Sequence, residues 1–162
     1  LFNNGSTKLL GLVPEMNRPE KEKIRIALDK SYAIYDVRDK RYLGAGAVFQ
    51  TEIEPGVPKL FAFISSRISG MDIQAPAKAA LGQEVKIDFR ISGVPDLRSV
   101  AKVVVTDPAG HEVRIYGGNR DIVSASGSTS FRTALNDPAG DWYVEITEVM
   151  SGERSRAVVN IN

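Results

Sequence analysis

Apolar residues along this chain come in short runs bounded by turn residues, the spacing expected of antiparallel strands about 8 to 12 residues apart. In the first half, segments 8–13, 23–28, 32–37, 47–53 and 59–64 each read as a strand. Ile24, Ile26 and Leu28 alternate with Lys23, Arg25 and Ala27, which predicts a half-buried strand with one apolar side. Asp39-Lys40 and Glu54-Pro55-Gly56 supply turn chemistry between flanking strands and predict two hairpins. Over 65–81 the chain turns to small residues, Ser, Gly, Ala and Pro, which reads as a linker followed by an edge strand and puts a domain boundary near residue 70. Beyond it, Val85, Ile87, Phe89 and Ile91 alternate with Lys86, Asp88 and Arg90, the clearest period-two run in the sequence. Segments 101–106, 112–116, 121–125, 128–134, 142–148 and 156–161 follow as strands. With the strand before Pro76 they make about eight on roughly 90 residues, as in an immunoglobulin-like sandwich. The expected fold is all-β, with two small antiparallel β-sandwich domains over 1–70 and 71–162, the second immunoglobulin-like.

Composition narrows the partners. The chain has 162 residues, 43% of them hydrophobic and 25% charged, which is ordinary for a globular protein and far from disorder. Lys and Arg number 21 against 20 Asp and Glu, a formal charge of +1, too weak a field to gather nucleic acid or anionic lipid. The absence of cysteine excludes disulfides, thiolate metal sites and a Cys nucleophile together. No window approaches the roughly 18 consecutive apolar residues of a membrane span. The first residue is Leu1 and not Met, as expected of a piece of a longer precursor or a processed product.

Catalytic chemistry finds little to work with. His111 is the single histidine, placed just after the turn at Gly110, where a hairpin residue is the expected role and a general base is not. One His and no Cys do not make a zinc centre of the usual kind. Gly117-Gly118 ends a strand with no helix behind it and reads as a turn. Asp36, Glu52, Glu54, Asp137, Asp141, Glu145 and Glu148 read as turn residues or as the polar sides of strands. Asp107-Pro108-Ala109-Gly110 recurs as Asp137-Pro138-Ala139-Gly140, and each copy suits a type I turn capped by its Asp. No catalytic residue, metal ligand or cofactor is assigned. Among the aromatic residues, Trp142 shares a strand face with Val144 and Ile146 and is expected in the core. Tyr32, Tyr35 and Tyr42 gather around the first hairpin and are the candidate rings for stacking on a sugar.

These segments carry a resemblance that covers nearly the whole chain. Tyr35-Asp36-Val37-Arg38, Arg41-Tyr42-Leu43-Gly44, Ile53-Glu54-Pro55-Gly56 and Lys59-Leu60-Phe61-Ala62 resemble a stretch that follows the catalytic barrel in large bacterial glycoside hydrolases of the β-galactosidase-like kind. Gly82-Gln83-Glu84-Val85, the hairpin at Val105 to Gly110, and Asn136 to Trp142 with the Gly152 ending are similar to the module that comes next in those proteins, although Glu148-Val149-Met150 stands where an Asp-Leu-Thr-like tripeptide is expected. The resemblance implies a C-terminal accessory pair in a secreted or periplasmic bacterial enzyme, bracing the catalytic domain of its own parent chain or mediating self-association. It transfers no catalytic residues. The alternatives are a carbohydrate-binding module and an adhesin-type or macroglobulin-like interaction module.

Overall fold

A computed structural model describes residues 1–16 and 20–162. The first five strands are β1 (Phe2–Asn4), β2 (Thr7–Leu12), β3 (Glu22–Asp36), β4 (Arg41–Ile53) and β5 (Lys59–Ile64). They form one antiparallel sheet in the order β1-β2-β5-β3-β4. The apolar runs at 32–35 and 60–64 do not alternate with polar residues because both of their faces are covered. Tyr32, Ile34, Phe61 and Phe63 make one small core, while Ala33, Tyr35, Ala62 and Ile64 join a larger one on the opposite side. The first core is closed by the sheet itself. The β3–β4 pairing shifts register between Ala27 and Tyr32, and beyond that point the hairpin folds back until Phe49 lies 5.1 Å from Phe61 and 5.7 Å from Phe63, ring centre to ring centre.

The remaining strands are β6 (Gly70–Gln74), β7 (Lys78–Ala79), β8 (Glu84–Ser92), β9 (Ser99–Thr106), β10 (Gly118–Ile122), β11 (Ser126–Arg132), β12 (Gly140–Glu148) and β13 (Arg154–Ile161). They build a three-stranded sheet, β11-β8-β6, and a five-stranded sheet, β10-β9-β12-β13-β7, in which β7 runs parallel to β13 and all other pairs are antiparallel. Period two decides which side chains meet between the sheets. Val85, Ile87, Phe89 and Ile91 of β8 belong to the same buried cluster as Ala101, Val103 and Val105 of β9 and Trp142, Val144 and Ile146 of β12. Gly127 is needed in β11 because a Cβ there would stand 2.3 Å from the Phe89 ring.

Several expectations are corrected in detail. Segments 23–28 and 32–37 are one strand, β3, bent at its register shift. The turn at Glu54 to Val57 does reverse the chain, with Val57 N–H donating to the Glu54 carbonyl at 3.1 Å, yet β5 pairs with β2 and β3 and not with β4. It therefore closes no second hairpin. Segment 112–116 is no strand but a 3-10 turn, Arg114–Tyr116, reached through a single bridge between Thr106 and Glu112. Ile115 is exposed, and Tyr116 is the residue that turns inward. Gly118, at φ 118°, opens β10.

Candidate functional site

The three tyrosines of the first half are drawn inward. Tyr32 and Tyr35 are 3% and 2% exposed, so neither presents an open ring face. Their expected use as sugar-stacking rings is corrected on that ground, since stacking requires a bare face. The Tyr32 hydroxyl donates to Asp29, which also pairs with Lys8 at 2.9 Å, and the Lys8 and Lys30 ammonium groups stand 5.0 and 5.3 Å from the ring centre. Hydrogen bonding to Tyr32 and then to Asp29 raises the Lys8 ammonium, and Lys8 in turn holds the Asp29 carboxyl below its ordinary value. Tyr42 is half-buried, with its ring 5.2 Å from Tyr35 and under the Arg67 guanidinium at 4.6 Å.

Tyr35 instead belongs to the junction between the first sheet and the sandwich that follows. Its hydroxyl accepts a hydrogen bond from the Ile68 backbone N–H at 2.9 Å, and burial pushes that hydroxyl's pKa up. Thr7 Oγ1 donates to the Arg98 carbonyl at 2.8 Å, and Asp96 accepts from Ser6 at its carbonyl and from Ser65 at its carboxylate. The cluster that contains Ala33, Tyr35, Ala62 and Ile64 continues through Ile68 and Met71 into the sandwich, so the two halves share one core.

Two buried carboxylates hold the chain turns at this junction, contrary to the expectation that Asp36 and Glu148 lie on polar surfaces. Asp36 is 5% exposed, and its Oδ1 accepts the backbone N–H groups of Arg38 and Asp39 at 3.1 and 3.2 Å, capping the turn into β4. Glu148 is fully buried. Its Oε1 accepts from Ser99 Oγ and from Met150 N at 3.1 Å, and its Oε2 accepts from Ser151 N at 2.7 Å and Ser151 Oγ at 2.5 Å. The two turns touch, because Gly152, at φ 75°, lies so near Lys40 that an added Cβ would stand 2.9 Å from the lysine's own. The strand period contained the signal for Glu148: it follows Trp142, Val144 and Ile146 on the inward face of β12.

At the far end of the sandwich, Trp142 is fully buried, its Nε1–H donating to the Pro138 carbonyl at 3.0 Å, with the Tyr116 and Phe131 ring centres at 5.9 and 6.4 Å. The repeated tetrapeptide serves two different turns. Asp107 opens its own, accepting the His111 backbone N–H at 2.8 Å, and that bond holds its carboxyl below the ordinary range. Asp137 closes a turn instead: its N–H donates to the Ala134 carbonyl at 3.1 Å, while its Oδ2 accepts the Ala134 N–H and the Tyr116 hydroxyl, the latter at 2.6 Å. Burial, and then Asp137, push the Tyr116 hydroxyl's pKa up. His111 is exposed, with Nδ1 3.3 Å from the Asp107 carboxylate.

Two adjoining clefts lie on the outer face of β6, β8 and β11. A cleft of about 480 Å³ between Lys86, Asp88, Arg120 and Ser130 adjoins one of about 290 Å³ between Asp72, Asp88, Arg90 and Ser126. Asp88 lines both. The rows across the strands, Asp72-Arg90-Ser126 and Gln74-Asp88-Ser128, alternate acids, bases, amides and hydroxyls. Among the described residues, no group of three or more His, Asp or Glu side chains is placed to hold a metal ion. Among the described residues, no helix is long and apolar enough to cross a membrane.

No protein-family model matches the chain, and a search of curated proteins finds no match.

Proposed function

We propose that this chain is a non-catalytic accessory unit from the C-terminal region of a bacterial β-galactosidase-like glycoside hydrolase, where it braces the catalytic barrel. The observation that supports the reading is the common core of the two halves, since a brace must hold its ends in fixed relation, and here apolar packing and the hydrogen bonds of Ser6 and Thr7 to the Asp96 and Arg98 carbonyls tie one half to the other. We read the second half as an immunoglobulin-like sandwich. The strand order β6-β8-β11 against β7-β13-β12-β9-β10 supports this, while the tryptophan on β12 and the lack of a disulfide set it apart from antibody domains.

A second reading, carbohydrate binding, is favoured by the polar clefts over β8 and not by the buried tyrosines. The two readings part in one set of measurements. For a brace, removing these residues from the parent enzyme lowers the barrel's melting temperature, the isolated chain turns over no aryl glycoside, and a glycan array stays blank. Reproducible turnover lost on changing one carboxylate would sink both readings. Retention on the array that disappears in Asp88→Ala or Arg90→Ala would put the binding module first.

A further inference from the structure

The longest strand at any sheet edge is β4, and from residue 42 to residue 51 it carries no charged side chain. Soluble proteins ordinarily blunt such an edge with charge, proline or brevity, because its unpaired N–H and C=O groups are a template for another strand. Most of the other edges follow that practice, β1 with three residues, β7 with two, β6 with Asp72 and β10 with Arg120 and Asp121, while β11, uncharged up to Arg132, has only seven residues. Among the described residues no strand pairs with the outer edge of β4, and Leu43 and Val48 are exposed along its uncharged run.

The exposure pattern of β4 identifies its occupant. Exposed positions are Arg41, Leu43 and Ala45, then Val48, Gln50 and Glu52, the parity changing across Gly46 and Ala47. Directly opposed residues of an antiparallel pair lie on the same face. If β4 meets a second β4 about a two-fold axis between Gly46 and Ala47, the opposed pairs are Arg41 with Glu52, Leu43 with Gln50 and Ala45 with Val48, exposed against exposed throughout. The partly buried positions match likewise, Tyr42 with Thr51 and Gly44 with Phe49. A slip of one residue destroys this correspondence. The uncharged run meets itself, and an Arg41–Glu52 pair closes each end. The bend in the hairpin also falls at this point, where Ala27 opposite Val48 gives way to Tyr32 opposite Gly46. A two-fold axis normal to the sheet carries that bend onto itself, so curvature does not oppose the pairing.

We propose that two copies of this chain associate through antiparallel pairing of their β4 edges, joining two five-stranded sheets into one across a two-fold axis at Gly46 and Ala47. This rests on the edge alone and stands apart from the accessory reading. Sedimentation equilibrium on the 162-residue chain should give a dimer that Arg41→Glu returns to monomer and that Arg41→Glu with Glu52→Arg restores, circular dichroism confirming the fold of each variant. Because the chain has no cysteine, introduced thiols report the register without background. Opposed Cα atoms about 4.5 to 5.5 Å apart are within disulfide reach. A mixture of Ala45→Cys and Val48→Cys chains should therefore oxidise mainly to the mixed disulfide. A parent chain that sediments as a monomer at every concentration, a dimer indifferent to the charge reversal, or crosslinking without preference for the mixed pair each overturns the proposal.

Discussion

Replacing Glu148 by Gln keeps the side chain's shape and removes one acceptor oxygen from a site where two oxygens are fully occupied. Oε1 accepts Met150 N and Ser99 Oγ, and Oε2 accepts Ser151 N and Ser151 Oγ. Hydroxyl groups can turn and accept from the new amide, but backbone N–H groups cannot. The two N–H groups lie on different oxygens, so whichever way the amide is set, one of them faces the NH₂. An unsatisfied buried donor costs about 1 to 3 kcal/mol, and the surviving bonds lose their charge assistance. Relief from burying a charge works in the opposite direction. Four donors already offset most of that burial, so the orphaned N–H decides the sign, and we expect a net loss of about 2 kcal/mol. In a chain of this length that corresponds to a fall in Tm of roughly 4 to 8 °C. Urea denaturation with matched m-values measures it, and Ser99→Ala, which removes one hydroxyl donor and orphans no backbone group, should cost less. A Gln variant within about 0.5 kcal/mol of the parent would refute the reasoning, because the amide would then satisfy the turn as well as the carboxylate does.

Trp142→Ala removes a fully buried ring packed against Tyr116 and Phe131 and should cost about 3 to 5 kcal/mol, enough to unfold or severely weaken a domain of ordinary stability. Fluorescence of the parent should show the emission of a buried indole, and a variant melting within a degree or two of the parent would contradict the packing. Tyr35→Phe leaves the Ile68 N–H without its acceptor, at about 1 to 3 kcal/mol near neutral pH. Because burial raises the Tyr35 pKa in the folded chain, the stability contributed by its neutral form is complete below the unfolded value of about 10 and falls as pH rises above it. The gap between parent and Tyr35→Phe should therefore narrow in alkaline solution, and a gap that widens there would show that the hydroxyl is not the group shielded from water.

Strand identity was written most clearly where a strand has one wet face. The alternation in β8 gave both the strand and its inward residues, since Val85, Ile87, Phe89 and Ile91 are all buried and Lys86, Asp88 and Arg90 all exposed. Where both faces are covered, as at 32–35 and 60–64, the apolar run announces a strand but not its second neighbour, and sharing of core between the halves was invisible for that reason. Polar Asp29, Lys30 and Ser31 hid the continuity of β3, because a register shift lets a strand carry such residues through a bend. The tyrosines misled by composition: clustered rings suggest a platform, yet Tyr32 and Tyr35 fall within a stretch buried on both sides. Glu148 could have been read correctly, because its parity with Trp142, Val144 and Ile146 outweighs its charge, and a buried carboxylate needs only enough donors nearby. The edge pattern of β4 was unreadable beforehand, since its parity change depends on a bulge in the partner strand.

The two inward carboxylates share a purpose that neither shows alone. A turn between strands leaves backbone N–H groups unpaired, and at a surface water satisfies them. Where two turns pack against each other, water is displaced and side chains must take its place. Asp36 does this for the turn into β4 and Glu148 for the turn into β13, and the point where Lys40 meets Gly152 lies between the two capped turns. Acceptors fixed in this way hold each turn in a single shape, so the contact between them joins two rigid surfaces. Together with Tyr35 on the Ile68 N–H and the continuous apolar packing beneath, this makes bending at the junction costly, since any opening would expose apolar area and unpaired donors together. A linker between independent domains is expected to be polar, exposed and free of such bonds. Ser65, Ser66, Arg67 and Ser69 are polar and exposed as in a linker, but Ile68 among them is only 5% exposed with its N–H engaged. The Ser65 and Ser66 hydroxyls donate to the Asp96 carboxylate and the Gly93 carbonyl. The stretch is therefore tied down, and fixed relative placement of the two halves is the property on which the proposed bracing role rests.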